Sequence, residues 1–355
     1  MSFANEPDPS TGPSPDPSPE PHGRDAEPWP AQLSPLFEKA ITVTYVSQTK
    51  DGNPVSSPLT PYVGQGGATL DVSTGLTYPS KAERARRNPK VCLLYSDMVG
   101  SGLMAAPIAL VRGWAAVRDS NLQANADRYI QLSQAKLPDS TKGQPKILLR
   151  RFRWYFSRIW IEITPAHILW WEGGDLDKEP IEWRAPDTLE IPESDAKPLG
   201  MAPPPWLEPP ISWQEHADYA ISNLSHRDLS YVDRDGFPIC VPAREVESIA
   251  EGFRLQLPRG IRLPDGGGAC MTFHDHPEVF TGQENRTFIG TISATTGGSI
   301  LFSVERALAD WSLPGNRLKM AAGFLSKGRR LSPRLKREAE RRGQQVPEVR
   351  FPGEY

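Results

Sequence analysis

The sequence predicts a mostly β chain with short helices (α+β), built from two small barrels in tandem. Short apolar runs separated by turn residues recur along most of its 355 residues. A turn that begins Asp-Gly-x-Pro occurs at 51–54 and again at 235–238, each time with another proline four residues later. A proline-rich stretch lies between the two copies. The chain is long enough for two domains that each bury a core.

The elements of the first half follow from its turn residues. AITVTYVSQ is a strand, KDGN is a hairpin turn and PVSSPLTPYV is the partner strand. GQGG then leads into ATLDVST, a short helix follows, and KVCLLYSD and APIALVRGWAAVRD continue the sheet. SNLQANADRYIQLS is a polar helix candidate, and the aromatic-rich segment that ends in HILWWEGG closes the sheet. This order predicts one barrel with short helices.

The second half repeats the plan with DLSYVD, RDGF, PICVPAREV, FRLQL, GACMTFHD, RTFIGTISA and SILFSVERAL. Five landmarks recur in the same order: Gly52 with Gly236, Pro58 with Pro242, Cys92 with Cys270, Asp97 with Asp275, and Gly113 with Gly290. An ordered set of matches indicates internal duplication.

Composition divides the chain into five segments. Residues 1–30 carry nine prolines and six carboxylates without an apolar run, which predicts a disordered tail. We expect one barrel at 31–183, a proline-rich linker at 184–212 that includes Pro203–Pro205, and a second barrel at 213–315. Residues 316–355 form a basic C-terminal tail.

Bulk properties exclude several classes of protein. The formal charge of −3 gives no field that favours nucleic acid, and no apolar run approaches the ~20 residues of a membrane span. Neither a signal peptide nor a CxxC pair is present, so Cys92, Cys240 and Cys270 predict buried thiols in the cytoplasm. GxSxG, HExxH, P-loop and Rossmann motifs are absent.

The segment STGLTYPSKAERARRNPK (73–90) is the strongest candidate site. Pro79 suits the first position of a short helix, where Ser80 and Lys81 would meet free backbone N–H groups. Arg84 lies one turn further on the same face. These groups predict an anion site suited to a phosphate, and two hydroxyl residues end the preceding strand: Ser73 and Thr74. The alternative is a solvated basic helix with Ala82 and Ala85 packed inward.

The run from ITVTYVSQTKDGNPVSSPL through TYPSKAERARRNPKVCLLYSD to ALVRGWAAV resembles the split β-barrel flavoproteins related to pyridoxamine 5'-phosphate oxidase. The resemblance implies FMN, or the related deazaflavin coenzyme, at the interface of two barrels. It implies that Ser80 and Lys81 hold the cofactor phosphate with Ser73 and Thr74 nearby. It also sets one strand along the flavin: Ser57, Pro58, Leu59 and Thr60.

The oxidase itself has arginine at the positions of Ser57 and Ser80, so the resemblance implies the cofactor rather than the substrate of that enzyme. In the second half, PRGIRLPDGGGA stands where the first half has the lysine-bearing helix. Its three glycines form either a flexible hairpin or an anion-binding nest. We therefore expect two tandem split β-barrels that form a pseudo-dimer, with a degenerate second copy.

Two further features resemble sites. His274 and His276 lie at i, i+2 with Asp275 and Glu278 nearby, but nothing else in the sequence completes a ligand set, so no metal is expected. The pair would instead face solvent, lie next to a cofactor or add to a pocket shared by the halves. Residues 317–342 carry ten Lys or Arg and two Glu, which favours a solvated helix or disordered tail over a nucleic-acid site.

These observations favour an FMN-binding oxidoreductase that passes hydride or electrons to a small-molecule substrate. No catalytic acid or base is assigned. The alternatives are a non-catalytic protein that binds or senses a flavin, a deazaflavin or haem, and an interaction protein that uses the basic tail. A homodimer remains open, and neither a membrane nor a nucleic-acid partner is expected.

Overall fold

The computed structural model describes residues 28–138, 145–202, 212–262, 266–278, 282–295, 298–308, 311–312 and 317–351. Most of the expected N-terminal tail and Pro203–Pro205 of the expected linker lie outside these ranges. Trp29, at the end of that tail, is buried and packs edge-on against Phe37 with 5.4 Å between ring centroids.

The first half forms an antiparallel sheet with the strand order β2-β1-β5-β6-β7-β4-β3, and β8 pairs with β7. Its strands are β1 (Val43–Gln48), β2 (Pro54–Leu59), β3 (Tyr62–Val63), β4 (Leu70–Gly75), β5 (Lys90–Tyr95), β6 (Ile108–Arg118), β7 (Arg158–Trp171) and β8 (Ile181–Arg184). In this order β1 neighbours β5 and β7 neighbours β4, which curls the sheet into the split barrel that the sequence predicts.

The second half forms a sheet with the order β10-β9-β13-β14-β15-β12-β11, and β16 pairs with β14. Its strands are β9 (His226–Val232), β10 (Pro238–Pro242), β11 (Arg244–Ile249), β12 (Gly252–Gln256), β13 (Gly267–Asp275), β14 (Glu284–Ala294), β15 (Ile300–Ala307) and β16 (Trp311–Ser312). Strand by strand this is the order of the first sheet. The predicted fold of two tandem split β-barrels is confirmed.

Residue registers show that the duplication extends to single positions. Cys92 pairs with Val46 as Cys270 pairs with Ser230, and both cysteines lie on the third strand of the order. Both sheets carry a β-bulge directly before the predicted glycine pair, Gly113 and Gly290. A Cβ atom would lie 2.5 Å from the Thr164 carbonyl oxygen at Gly113 and 2.0 Å from the Ser303 carbonyl oxygen at Gly290. Only glycine allows the neighbouring strand to approach so closely.

The described helices lie between and beside the strands: α1 (Ser34–Lys39), α2 (Ser80–Arg87), α3 (Leu122–Lys136), α4 (Lys146–Leu149), α5 (Arg153–Phe156), α6 (Trp213–Asn223) and α7 (Arg317–Arg341). The predicted polar helix is α3, whose first turn is capped by the Asn121 side chain accepting a bond of 3.0 Å from the Ala124 N–H. Helices α1 and α6 precede β1 and β9, so the repeat includes them.

The basic C-terminal segment is packed rather than solvated. Helix α7 returns to the first half, where Leu331, Leu335 and Ala339 join its core. Just beyond the helix, the buried Arg342 guanidinium contacts Asp119 and Glu338 at 2.8 and 2.7 Å. The expectation of a solvated or disordered tail is therefore wrong, because the apolar face of the segment supplies core residues and its charges have buried partners.

The halves pack so that the hairpin strand of each covers the sheet of the other. Strand β2 contacts β13 and β9, and β10 contacts β5 and β1. Ser56 on β2 shares hydrogen bonds with Thr272 at 2.6 Å and with Cys270 at 3.0 Å. Thr44 and Asp228 occupy equivalent positions and contact each other at 2.5 Å, so this contact lies close to the local two-fold axis.

Within the described residues, no helix has the length and apolar character needed to cross a membrane.

Candidate functional site

Helix α2 positions the residues of the predicted anion site. Pro79 is the N-cap and the helix begins at Ser80, one residue later than expected. No side chain caps its first turn, so the initial N–H groups face outward from the helix end. Ala82 and Ala85 are buried against the barrel, as the alternative of a solvated basic helix also predicts. The basic residues of the helix are nevertheless not all solvated.

Lys81 and Arg84 lie together in a half-buried position. Loss of water around the ammonium group lowers the pKa of Lys81 to about 8, with Arg84 and Arg158 adding repulsion. Burial also lowers the pKa of Arg84, whose Nε donates to Ser47 Oγ at 2.9 Å. Both shifts mean that the protein alone disfavours this concentration of positive charge.

Two further arginines complete the group: Arg158, which the sequence reasoning did not identify, and Arg87, which it placed only on a solvated helix face. Arg158, at the start of β7, lies beside the end of β4 because it pairs with Gly75. Its guanidinium stacks 4.0 Å from the ring centroid of Tyr129. Arg87 donates to the Gln48 carbonyl oxygen at 3.1 Å. We call Lys81, Arg84, Arg87 and Arg158 the cation cluster.

The cation cluster has no acidic counterpart in the part of the chain that the structure describes. Among the residues that the structure describes, no ion pair joins any of its four members to a carboxylate; the recorded partners are hydroxyl and carbonyl oxygens. On the same helix, by contrast, Arg86 contacts Asp119 at 2.8 Å and Glu83 contacts Arg342 at 3.3 Å. Arg86 and Glu83 on α2 thus have partners of opposite charge. The cation cluster carries a net positive charge that suits a dianion.

The predicted hydroxyl residues play different local roles. Thr74 donates its hydroxyl to the Tyr78 carbonyl oxygen at 3.0 Å, which holds the turn that leads into α2. Ser73 is buried and pairs across the sheet with Trp160. Ser80 is exposed at the first position of α2. Of these three, Ser80 is the one whose side chain remains accessible from solvent at the helix end.

The residues expected along the flavin form the edge strand β2 and the position after it. Ser57 pairs with Tyr45 and Pro58 with Thr44, so the two side chains face opposite sides of the sheet. Leu59 packs against the first core, and Thr60 is half-buried where the strand ends. Among the described residues, no hydrogen bond joins these four residues to Lys81. Strand β2 is connected to Arg84 indirectly. Ser56 on β2 shares a hydrogen bond with Cys270, and Arg84 lies near Cys270 and donates to Ser47.

The second half does not reproduce the cation cluster. Among its described residues, the connection between β12 and β13 contains no helix, and Gly267 and Gly268 already belong to β13. The equivalent of α2 and its lysine is therefore missing, in agreement with the degenerate copy that the sequence predicts.

A second group of polar side chains lies at the interface near Asp228. Asp97 follows β5 of the first half, and its carboxylate contacts His226 Nε2 at 3.3 Å and His276 Nε2 at 3.0 Å. His274 Nε2 contacts the Asp228 carboxylate at 3.2 Å. The sequence placed Asp275 beside the histidines, but Asp275 accepts a bond from Ser225 Oγ instead. Asp97 could not be recognised from sequence spacing, because it comes from the other half.

No family model and no curated protein matches the chain. Solved structures with likeness to it include an F420 reductase, at 18% identity and a TM-score of 0.29, over 38% of this chain and 92% of that one. A Clostridium acetobutylicum protein related to a general stress protein of the pyridoxinephosphate oxidase family has 14% identity and a TM-score of 0.29, over 42% and 89%. A haem storage protein from Vibrio cholerae has 15% identity and a TM-score of 0.25, over 38% and 87%. The fold of the present chain is defined by its own sheet order and registers.

Proposed function

We propose that the chain binds FMN through the cation cluster and works as an oxidoreductase on a small molecule. The observation that carries the proposal is the group Lys81, Arg84, Arg87 and Arg158, which extends along α2 from its first turn and has no carboxylate partner among the described residues. A phosphate monoester near neutral pH carries a charge of about −1.5 to −2, which this group would neutralise. The resemblance of residues 34–172 to the split β-barrel flavoproteins supports a flavin as the rest of the ligand.

In this proposal the protein orients the cofactor and supplies its electrostatic environment. Lys81, Arg84, Arg158 and the exposed hydroxyl of Ser80 would hold the phosphate. Strand β2 would lie along the ring system, with the second half covering the other side. A bound flavin supplies hydride and electron transfer itself, so the chain needs no catalytic acid or base of its own for that step.

The test is titration of the purified full chain with FMN, followed by fluorescence. Each lost charge-assisted hydrogen bond is worth about 1.5–3 kcal/mol, so Lys81→Ala and Arg84→Ala should each weaken binding about 10- to 100-fold. Lys50→Ala removes the same charge from an exposed turn and serves as the control, with unchanged affinity. Wild-type affinity in both cluster variants would rule out the cation cluster as the phosphate site.

The same preparation separates the enzyme from a binding or sensing protein. Oxidation of a reduced nicotinamide by the FMN-loaded chain in the presence of an acceptor supports the oxidoreductase. A bound chromophore without turnover supports a carrier or sensor. Parallel titrations with the deazaflavin coenzyme and with haem identify which chromophore binds most tightly.

A further inference from the structure

Three polar side chains from separate strands converge at the interface between the halves. Asp97 lies two residues after β5, His226 begins β9, and His274 lies near the end of β13. His226 and His274 are cross-strand neighbours in the β9–β13 register, and their rings stack with centroids 5.0 Å apart. One ligand atom from each of the three residues lies within 4.8 Å of the others. We call these residues the interface triad.

Distances within the interface triad match those between ligands of one metal ion. Two ligands about 2.1 Å from a tetrahedral ion are separated by roughly 3.4 Å. Asp97 Oδ1 lies 3.3 Å from His226 Nε2, and Asp97 Oδ2 lies 3.6 Å from His274 Nδ1. A single ion can contact all three residues once the two stacked imidazole rings turn so that one nitrogen of each points to it.

The outer contacts of His274 prepare its inner nitrogen as a ligand. Its Nε2 lies 3.2 Å from the Asp228 carboxylate, which also accepts a bond of 2.5 Å from the Thr44 hydroxyl. A carboxylate that accepts the outer N–H of a histidine leaves the other ring nitrogen unprotonated and directed at the metal. His274 is only 1% exposed, and its Nδ1 has no hydrogen-bond partner among the described residues. That buried, unsatisfied nitrogen is directed at Asp97.

We propose that Asp97, His226 and His274 bind one divalent transition-metal ion at the interface of the two halves. Two imidazole nitrogens and one carboxylate oxygen are a donor set suited to Zn²⁺ and to related first-row ions. His226, whose side chain is 20% exposed, leaves a path for entry and for a water ligand. Because Asp97 belongs to the first half and both histidines to the second, the ion connects the two barrels close to their local two-fold axis.

This site shares no residue with the cation cluster, and its two histidines have no histidine counterparts in the first half. The positions equivalent to His226 and His274 in the first half are Thr42 and Ser96. The duplicated fold would thus carry a phosphate site from one copy and a metal site built mainly from the other.

The test uses the full chain after dialysis against a chelator, titrated with Co²⁺ as a spectroscopic probe and then with Zn²⁺. The proposal predicts one Co²⁺ per chain with visible ligand-field bands, displacement of those bands by one equivalent of Zn²⁺, and a higher Tm with Zn²⁺. His226→Gln should abolish the bands, and Asp228→Asn, which conserves side-chain size, should weaken Co²⁺ binding about 10- to 100-fold.

His216→Gln, which changes a histidine on α6 outside the interface triad, is the matched control and should bind as the wild type does. Far-ultraviolet circular dichroism shows whether each variant is folded. Co²⁺ binding that His226→Gln and Asp228→Asn leave unchanged would overturn the proposal. Absence of ligand-field bands in the folded wild type would overturn it as well. Asp97 would then be neutralised by a proton that it shares with His276 instead of by a metal ion. FMN binding is measured separately, so neither result depends on the proposed cofactor.

Discussion

Lys90 and Gly268 occupy equivalent positions in the two sheets, and each receives the Asp-Gly turn of the other half. Lys90 Nζ donates to the Asp235 carbonyl oxygen at 2.6 Å and lies 5.1 Å from the ring centroid of Phe237. At Gly268, a Cβ atom would lie 2.1 Å from Asn53 Oδ1, so the absence of a side chain makes room for the first turn. The two turns share a backbone shape, but the halves dock by different chemistry on the two sides.

The aromatic contact on the Phe237 side should stabilise the docking more than its counterpart. Phe237 meets Trp114 edge-on at 4.9 Å and also packs on the Arg112 guanidinium. We expect Phe237→Ala to lower the free energy of unfolding by about 1–3 kcal/mol. Asn53→Ala, at the equivalent exposed position, should change it by less than about 0.5 kcal/mol. Urea denaturation measures both, and equal effects would contradict the asymmetry.

The bulge glycines should tolerate no side chain. Gly290→Ala places a methyl group 2.0 Å from the Ser303 carbonyl oxygen, so the strand must shift. We expect a loss of about 1–3 kcal/mol or more in the free energy of unfolding. Gly323→Ala in α7, where nothing lies within 4 Å, is the control and should gain up to about 1 kcal/mol from its higher helix propensity. A Gly290→Ala protein as stable as the wild type would refute the close approach.

Helix α7 should be required for the stability of the first half. Leu331 is fully buried in the first core, so Leu331→Ala should cost about 2–5 kcal/mol. Leu199, at 80% exposure, provides the matched control, and Leu199→Ala should leave Tm unchanged. Differential scanning calorimetry gives both values. An unchanged Tm for Leu331→Ala would mean that the helix does not contribute to the core.

Affinity for FMN should fall as the pH rises through about 8. The pKa of Lys81 is lowered to about 8 chiefly by burial, so the charged form that attracts phosphate is lost above this pH. The FMN phosphate is already largely dianionic above pH ~6, so it does not titrate in this range. Lys81→Arg keeps its charge and should bind with little change between pH 7 and 9. Parallel pH profiles in wild type and Lys81→Arg would assign the titration to another group.

Local sequence was sufficient to predict the repeat. Gly52 and Gly236 have φ of +81° and +79°, and such turns have a residue signature that is readable without a structure. The residues that the sequence reasoning missed depend on long-range pairing. Arg158 reaches the cation cluster only because β7 pairs with β4, and Asp97 meets the histidines only because the two halves pack.

Helix α7 was misjudged for a related reason. The segment 317–342 carries ten basic residues and two acidic ones, although Leu331 and Leu335 share one face of the helix at i, i+4 spacing. Periodicity within the segment was the available signal, and charge content concealed it. The ion pairs of Arg342, just beyond the helix, with Asp119 and Glu83 then depend on partners more than 200 residues away.

The central claim is that a duplicated fold retains one phosphate site, in its first copy. The most direct test is the stoichiometry of FMN binding to the full chain, measured by calorimetry at saturating cofactor. One FMN per chain, bound about 10- to 100-fold more weakly by Lys81→Ala, is the result that the cation cluster predicts. Two FMN per chain, or none, would contradict the claim that the first copy alone carries the site.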